Sequence, residues 1–154
     1  MSINLSGKRV FITGAAGGIG RKLVCAFVEA GCFVDAADID KSGLDALANL
    51  YDQSKLNTMV LDISSSEACQ LAINSTETTD ILINNAGASM GLIRDNHLDE
   101  LVSIDELRPE IWDHFINTNL SGAWYLTRAV IPRMKKKQWG RIINVTTSFF
   151  TMLR

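Results

Sequence analysis

Val10-Phe11-Ile12-Thr13-Gly14-Ala15-Ala16-Gly17-Gly18-Ile19-Gly20 is the stretch on which the fold turns. A short apolar run reads as a strand, and the glycines that end it open a helical pattern. Glycines at such a turn let the backbone come close to a phosphate, whose charge the amides and dipole of the helix N-terminus stabilise. The spacing G-x-G-x-x-G is absent, because Ala16 and Ile19 occupy two of its positions; what stands here is T-G-x-x-x-G-x-G. Taken alone the turn is ambiguous, since tight turns without a ligand use the same residues.

Working outward, a helix is expected over Gly18 to Ala30, with Leu23, Phe27 and Ala30 at helical spacing and Gly31 as its stop. Cys32 to Asp38 reads as a second strand, and Asp40 or Ser42 can cap a helix carrying Leu44, Leu47, Ala48 and Tyr51. Thr58 to Leu61 is a third strand, a helix follows from Ser64–Ser66 to about Ile73, and Asp80 to Ile83 is a fourth strand. After an irregular stretch from Ala88 to Leu107, one long helix is expected from Pro109 to Lys137, kinked or tightened at Pro132, and then a fifth strand from Gly140 to Thr146. Strands and helices alternate without hairpin signals. The expectation is an α/β, doubly wound, Rossmann-type parallel sheet in the order 3-2-1-4-5, with helices on both faces, as one domain over 1–154.

Asp38 sharpens the ligand. It ends the second strand, eighteen residues beyond Gly20, where a dinucleotide fold sets a carboxylate for the ribose hydroxyls. The same carboxylate repels a 2′-phosphate, and neither Ala15 nor Ala16 offers a compensating cation, so NAD is expected over NADP. Asp35 and Asp40 compete for the role, Asp35 from mid-strand; a capping or solvated acid is the bland use of Asp38.

Composition closes off other classes. With 15 basic and 17 acidic residues and a net charge of -2, the chain lacks the excess of a nucleic-acid binder, and Arg133, Lys135, Lys136 and Lys137 are too short a cluster to supply it. No eighteen apolar residues run together and no signal-peptide core stands at the start, so no membrane association is expected. Cys25, Cys32 and Cys69 are odd in number and fit no metal-ligand spacing; they read as buried thiols of a cytoplasmic protein, with no metal.

Four signatures in order make the chain resemble the classical short-chain dehydrogenase/reductase family. They are Thr13-Gly14-x-x-x-Gly18-Ile19-Gly20, Asn84-Asn85-Ala86-Gly87, Asn119-Leu120-Ser121-Gly122 and Ile143-Asn144-Val145-Thr146-Thr147-Ser148. The resemblance implies that Gly14, Ala16, Gly18, Ile19, Gly20, Asp38 and Ile39 hold the cofactor. It also implies that Asp62 and Ile63 read the adenine and that Asn85, Ala86 and Gly87 wall the adenosine ribose. Asn119 resembles the family asparagine whose backbone holds a water of the proton relay, although any Asn there could simply bend a helix. Ser148 resembles the serine that hydrogen-bonds the substrate oxygen.

The resemblance therefore implies an NAD-dependent interconversion of a secondary alcohol and a ketone, with Asn119 and Ser148 as the catalytic residues present. One departure matters: the family's Tyr-x-x-x-Lys pair, expected about a dozen residues after the serine, is not in these 154 residues. Alcohol oxidation needs a base for the hydroxyl proton. Tyr51-Asp-Gln-Ser-Lys55 matches the letters but lies before the third strand and reads as a helix end; His97 and His114 read as surface residues. The expectation is the cofactor-binding part of a dehydrogenase, fragment or truncated product, incomplete after the fifth strand, binding NAD weakly at best and without turnover. The alternative is a non-catalytic dinucleotide-binding or interaction module. Ala88 to Thr118 is longer than in compact members, either a substrate-side flap or a surface insertion. The resemblance implies a homo-oligomer for a full-length version, with Trp112, Phe115 and Trp124 divided between such a face and the core.

Overall fold

In the computed structural model, which describes residues 4–97 and 99–146, strand β1 (Arg9–Thr13) sends Val10 and Ile12 into one buried cluster and Phe11 into another. Successive side chains of a strand point to opposite faces, so a strand buried on both sides needs the near-continuous apolar run seen here. Helix α1 (Gly18–Glu29), β2 (Phe33–Asp38), α2 (Lys41–Ala48), β3 (Leu56–Val60), α3 (Ser66–Ser75) and β4 (Ile81–Asn84) follow in turn. After two short 3₁₀ turns come α4 (Pro109–Ile116), a π-helical turn (Asn117–Gly122), α5 (Ala123–Lys137) and β5 (Arg141–Asn144). All strand pairs are parallel and the order is β3-β2-β1-β4-β5, as expected from the sequence. Val24, Leu44 and Leu47 from α1 and α2 cover one face, and Ile73, Leu126 and Val130 from α3 and α5 cover the other.

Several expectations are corrected. β3 begins at Leu56 rather than Thr58, because its register with β2 pairs Val34 with Leu56 and Asp35 with Asn57; pairing, not local apolarity, sets an edge strand's limits. The expected single helix over 109–137 is interrupted not at Pro132 but by the π-helical turn at Asn117–Gly122. The cause is visible in its neighbours: Asn119 bonds a backbone outside the helix, and Gly122 lies against Ile63. α2 ends at Ala48, so Tyr51 and Lys55 stand beyond a helix end, Tyr51 against the core and Lys55 over the Phe33 ring. Phe115 is buried, whereas Trp112 and Trp124 are exposed.

The polar groups of the sheet's lower end are paired by residues distant in sequence. Asp35, 1% exposed, accepts from Arg9 Nη1 at 3.2 Å and from Asn57 Nδ2 at 3.1 Å, which makes it structural and leaves Asp38 without that competitor. Arg133 Nη1 donates to the carbonyls of Ile73 (2.6 Å) and Thr76 (3.0 Å), closing the C-terminus of α3. Asp80 accepts from the Arg9 amide (2.9 Å) and from Lys137 Nζ (2.8 Å). Burial pushes the Asp80 carboxyl up, but the Lys137 and Arg9 hydrogen bonds outweigh it and hold it below the usual carboxylate range. A carboxyl lowered on folding stabilises fully above its unfolded pKa and loses that contribution as pH falls through the folded value. Asp80→Asn is therefore expected to cost about 1–3 kcal/mol at neutral pH. Urea unfolding should show the gap to wild type constant down to about pH 4 and shrinking below it.

Candidate dinucleotide site

The C-terminal ends of β1, β2 and β4 open onto a cleft of about 580 Å³. This is where an open α/β sheet whose strand order reverses leaves room between its loops. Gly14, Gly18, Ile19, Gly20, Asp38, Ile39, Asp62, Ile63, Asn85, Ala86 and Gly87 all line it. Ala16 does not; its amide instead donates to Asp38 Oδ2 at 2.9 Å, tying the glycine turn to the end of β2. Ser148 lies outside the described residues.

The glycines of the turn divide by what surrounds them. Gly14 has φ +64° and a Cβ there would lie 2.8 Å from Ala86 Cα, so the β4 loop packs directly on it. Asn85 fixes that approach by donating from Nδ2 to the Thr13 and Gly14 carbonyls at 3.0 and 3.1 Å. At Gly20 a Cβ would lie 1.9 Å from the Gly14 oxygen. Gly18 is different: a Cβ there meets nothing within 4 Å. Packing explains Gly14 and Gly20, while the space before Gly18 at the first turn of α1 is open to a ligand. A pyrophosphate fits this cradle of amides, and the acceptor carboxylates of Asp38 and Asp62 across the cleft fit the hydroxyl and amino donors of a dinucleotide.

Asp38 Oδ2 accepts from Ala16 and Oδ1 from the Asp40 amide at 2.9 Å, which leaves one lone pair on each oxygen. Asp62 spends Oδ1 on the Ser64 amide (2.9 Å) and hydroxyl (2.7 Å), leaving Oδ2 for another donor. Ile19 and Ile39 flank the opening with their side chains largely in solvent, 62% and 69% exposed. Burial pushes the neighbouring Cys69 thiol up to about 11, with Asp62 adding to the shift, so this sulfur is inert at neutral pH.

The π-helical turn brings a second wall. The Asn119 side chain accepts from the Ala88 amide (2.7 Å) and donates to the Ala88 carbonyl (3.1 Å), clamping the loop beyond Gly87. Single π turns of this kind sit often at functional sites. Gly122 at its end lets the helix rest on Ile63: a Cβ would lie 2.8 Å from the Ile63 side chain and 2.9 Å from its carbonyl oxygen. Gly122→Val is expected to cost about 1–3 kcal/mol in a urea melt, since helix and cleft wall would have to separate.

His114 is exposed, as expected of a surface residue, and also lines the cleft with Thr118, as do Ser89 and Leu92, a placement not foreseen from the sequence. The spacing of four between His114 and Thr118 puts these two on one helix face, Thr118 next to Asn119 in the chain, and was the available signal.

Comparison with known proteins agrees with this geometry. The family profile described as short chain dehydrogenase matches residues 8–151. A 3-oxoacyl-(acyl-carrier-protein) reductase of Vibrio harveyi is 36% identical over 97% of this chain and 59% of its own length. A 3beta-hydroxysteroid dehydrogenase 2 of Eggerthella lenta is 32% identical over 93% of this chain and 54% of its own. Among solved structures, the 3-ketoacyl-(acyl-carrier-protein) reductase of Brucella melitensis complexed with NADH superposes with a TM-score of 0.80 at 28% identity, covering 93% of this chain and 58% of that one. The chain thus spans a little over half the length of these relatives.

Proposed function

Because the chain belongs to the short-chain dehydrogenase family, whose members are oxidoreductases using a nicotinamide dinucleotide, we propose that it is the NAD-binding part of an enzyme interconverting a secondary alcohol and a ketone. The open space at Gly18, with the free lone pairs of Asp38 beside it, carries this reading. When bound, the dinucleotide supplies the hydride acceptor or donor. The amides at the start of α1 bind its pyrophosphate, and Gly14 and Gly20 hold those amides in place. Asp38 accepts from the ribose hydroxyls and sets its charge against a 2′-phosphate, which favours NAD over NADP. Asp62 takes the adenine amino group on its spare oxygen, with Ile63 beside the ring. Asn85, Ala86 and Gly87 form the ribose wall.

On the substrate side, Asn119 fixes the loop at Ala88 and holds a relay water on its backbone, while Ser148 orients the substrate oxygen. The tyrosine base that the family places after this serine is not in the 154 residues, so by themselves they bind and do not turn over. A homo-oligomeric, cytoplasmic whole enzyme completes the proposal, and Trp112 and Trp124 are available to an intersubunit face.

Titration calorimetry with NAD and NADP tests it. Wild type should bind NAD more tightly, and Asp38→Ala should narrow the difference; equal affinity of wild type for both contradicts the role given to Asp38. Steady reduction of NAD with an alcohol by the purified 154 residues would sink the claim that the missing pair is essential.

A further inference from the structure

The end of the sheet remote from the cleft gathers positive charge in a chain whose net charge is -2. All strands are parallel, so their starting residues share that end. Lys55 stands just before β3, Lys8 just before β1 and Arg141 opens β5, while Lys135 and Lys136 stand in the last turn of α5. None of these five cations pairs with a carboxylate among the described residues. The acids of this end are largely engaged: Asp35 and Asp80 are buried and bonded, Glu77 leans on Arg9 at 3.7 Å, and the exposed Asp52, three residues before Lys55, accepts from the Ser54 amide at 2.8 Å and offsets part of the Lys55 charge. The dipole of α5 accounts for Lys135 and Lys136. It does not account for Lys8, Lys55 and Arg141.

Two rings hold those three cations in place. Lys8 Nζ and the Arg141 guanidinium stand over Trp139 at 4.2 and 5.1 Å, and Lys55 Nζ stands over Phe33 at 4.5 Å. Beside Trp139 a shallow groove of about 420 Å³ is lined by Met134, Lys135, Gln138, Trp139, Arg141 and Ile142, together with Gly140. The cleft end, by contrast, presents Asp38 and Asp62. An acidic partner is therefore repelled from one end and drawn to the other.

We infer that this end docks an extended acidic segment of a partner protein. The strand order sets the backbones of the three cation-bearing residues at the starts of β3, β1 and β5, alternate strands of the sheet, hence roughly 10 Å apart at 4.7–4.9 Å per strand, with the Lys8 and Arg141 heads drawn together over Trp139. An extended chain advances about that far in three residues, so carboxylates at every third position meet the row. Single-stranded nucleic acid fits less well. It binds by stacking bases on open rings, and both rings here are half-buried with cations already over them.

The test is fluorescence anisotropy at 50 mM salt with the labelled dodecapeptide (Glu-Ser-Ser)4. Wild type should bind it, and at least threefold more tightly than a peptide of the same composition with its four glutamates in one block. Lys8→Gln/Lys55→Gln/Arg141→Gln, checked for folding by circular dichroism, should lose at least tenfold. If that variant fails to fold, Lys135→Gln/Lys136→Gln, on exposed positions, should lose about threefold. Absence of binding by wild type, a triple variant within twofold of it, or an oligothymidylate of equal length or anionic lipid vesicles binding more tightly than the peptide would each overturn the inference.

Discussion

Gly20→Ala is expected to cost about 3 kcal/mol or more of folding stability. The added methyl would stand 1.9 Å from the Gly14 oxygen and 2.7 Å from Ala15 Cα, both backbone atoms. A flexible side chain could turn away; this backbone is held by the Asn85 amide on the Thr13 and Gly14 carbonyls and by Asp38 on the Ala16 amide. Relief requires α1 to move off the end of β1, which opens the cluster built on Val10, Ile12 and Val24. Urea unfolding of the ligand-free protein reads the loss directly; a variant within about 1 kcal/mol of wild type would mean that the turn yields.

Gly18→Val, two residues earlier, should behave in the opposite way. Its Cβ meets no atom of the chain within 4 Å and the position is exposed, so the ligand-free protein should melt with wild type to within about 0.5 kcal/mol. Affinity for NAD should fall by about 1–3 kcal/mol, roughly five- to 150-fold, because the methyls occupy the place of the pyrophosphate. Calorimetric titration beside a thermal melt separates the two effects. An unchanged affinity would remove the phosphate from the turn and leave the cleft without its central contact.

These two glycines also show what a sequence can disclose. T-G-x-x-x-G-x-G marks both alike, and its position between strand and helix, with Asp38 ending the next strand, was enough to place the cleft. Strand order followed from alternation and handedness. Which glycine is required by packing and which faces open space was not readable, because the answer depends on the Gly14 oxygen and Ala15 Cα, brought against Gly20 only by the fold. The π-helical turn was legible only in part: Asn117 to Gly122 is poor in helix formers, but the partners that go with the departure, Ala88 and Ile63, are brought there only by the fold. His114 is a lesser case: its surface position and its phase with Thr118 were legible, while its place at the cleft follows only from the fold.

The pairing of Arg133 and Lys137 bears on the order in which the molecule can be finished. α3 receives the donor for its Ile73 carbonyl 60 residues later in the chain, and Asp80 at the foot of β4 receives its lysine 57 residues later. A growing polypeptide that has emerged only as far as β4 has both ends open to water and one face of the sheet uncovered. Closure of α3, neutralisation of Asp80 and burial of Phe11 and Leu82 then arrive together, when α5 lays down Leu126, Val130, Arg133 and Lys137 in a single docking step. Such long-range contacts must bear the loop entropy before they return any stability, so the half nearest the N-terminus waits on the helix synthesised last before β5.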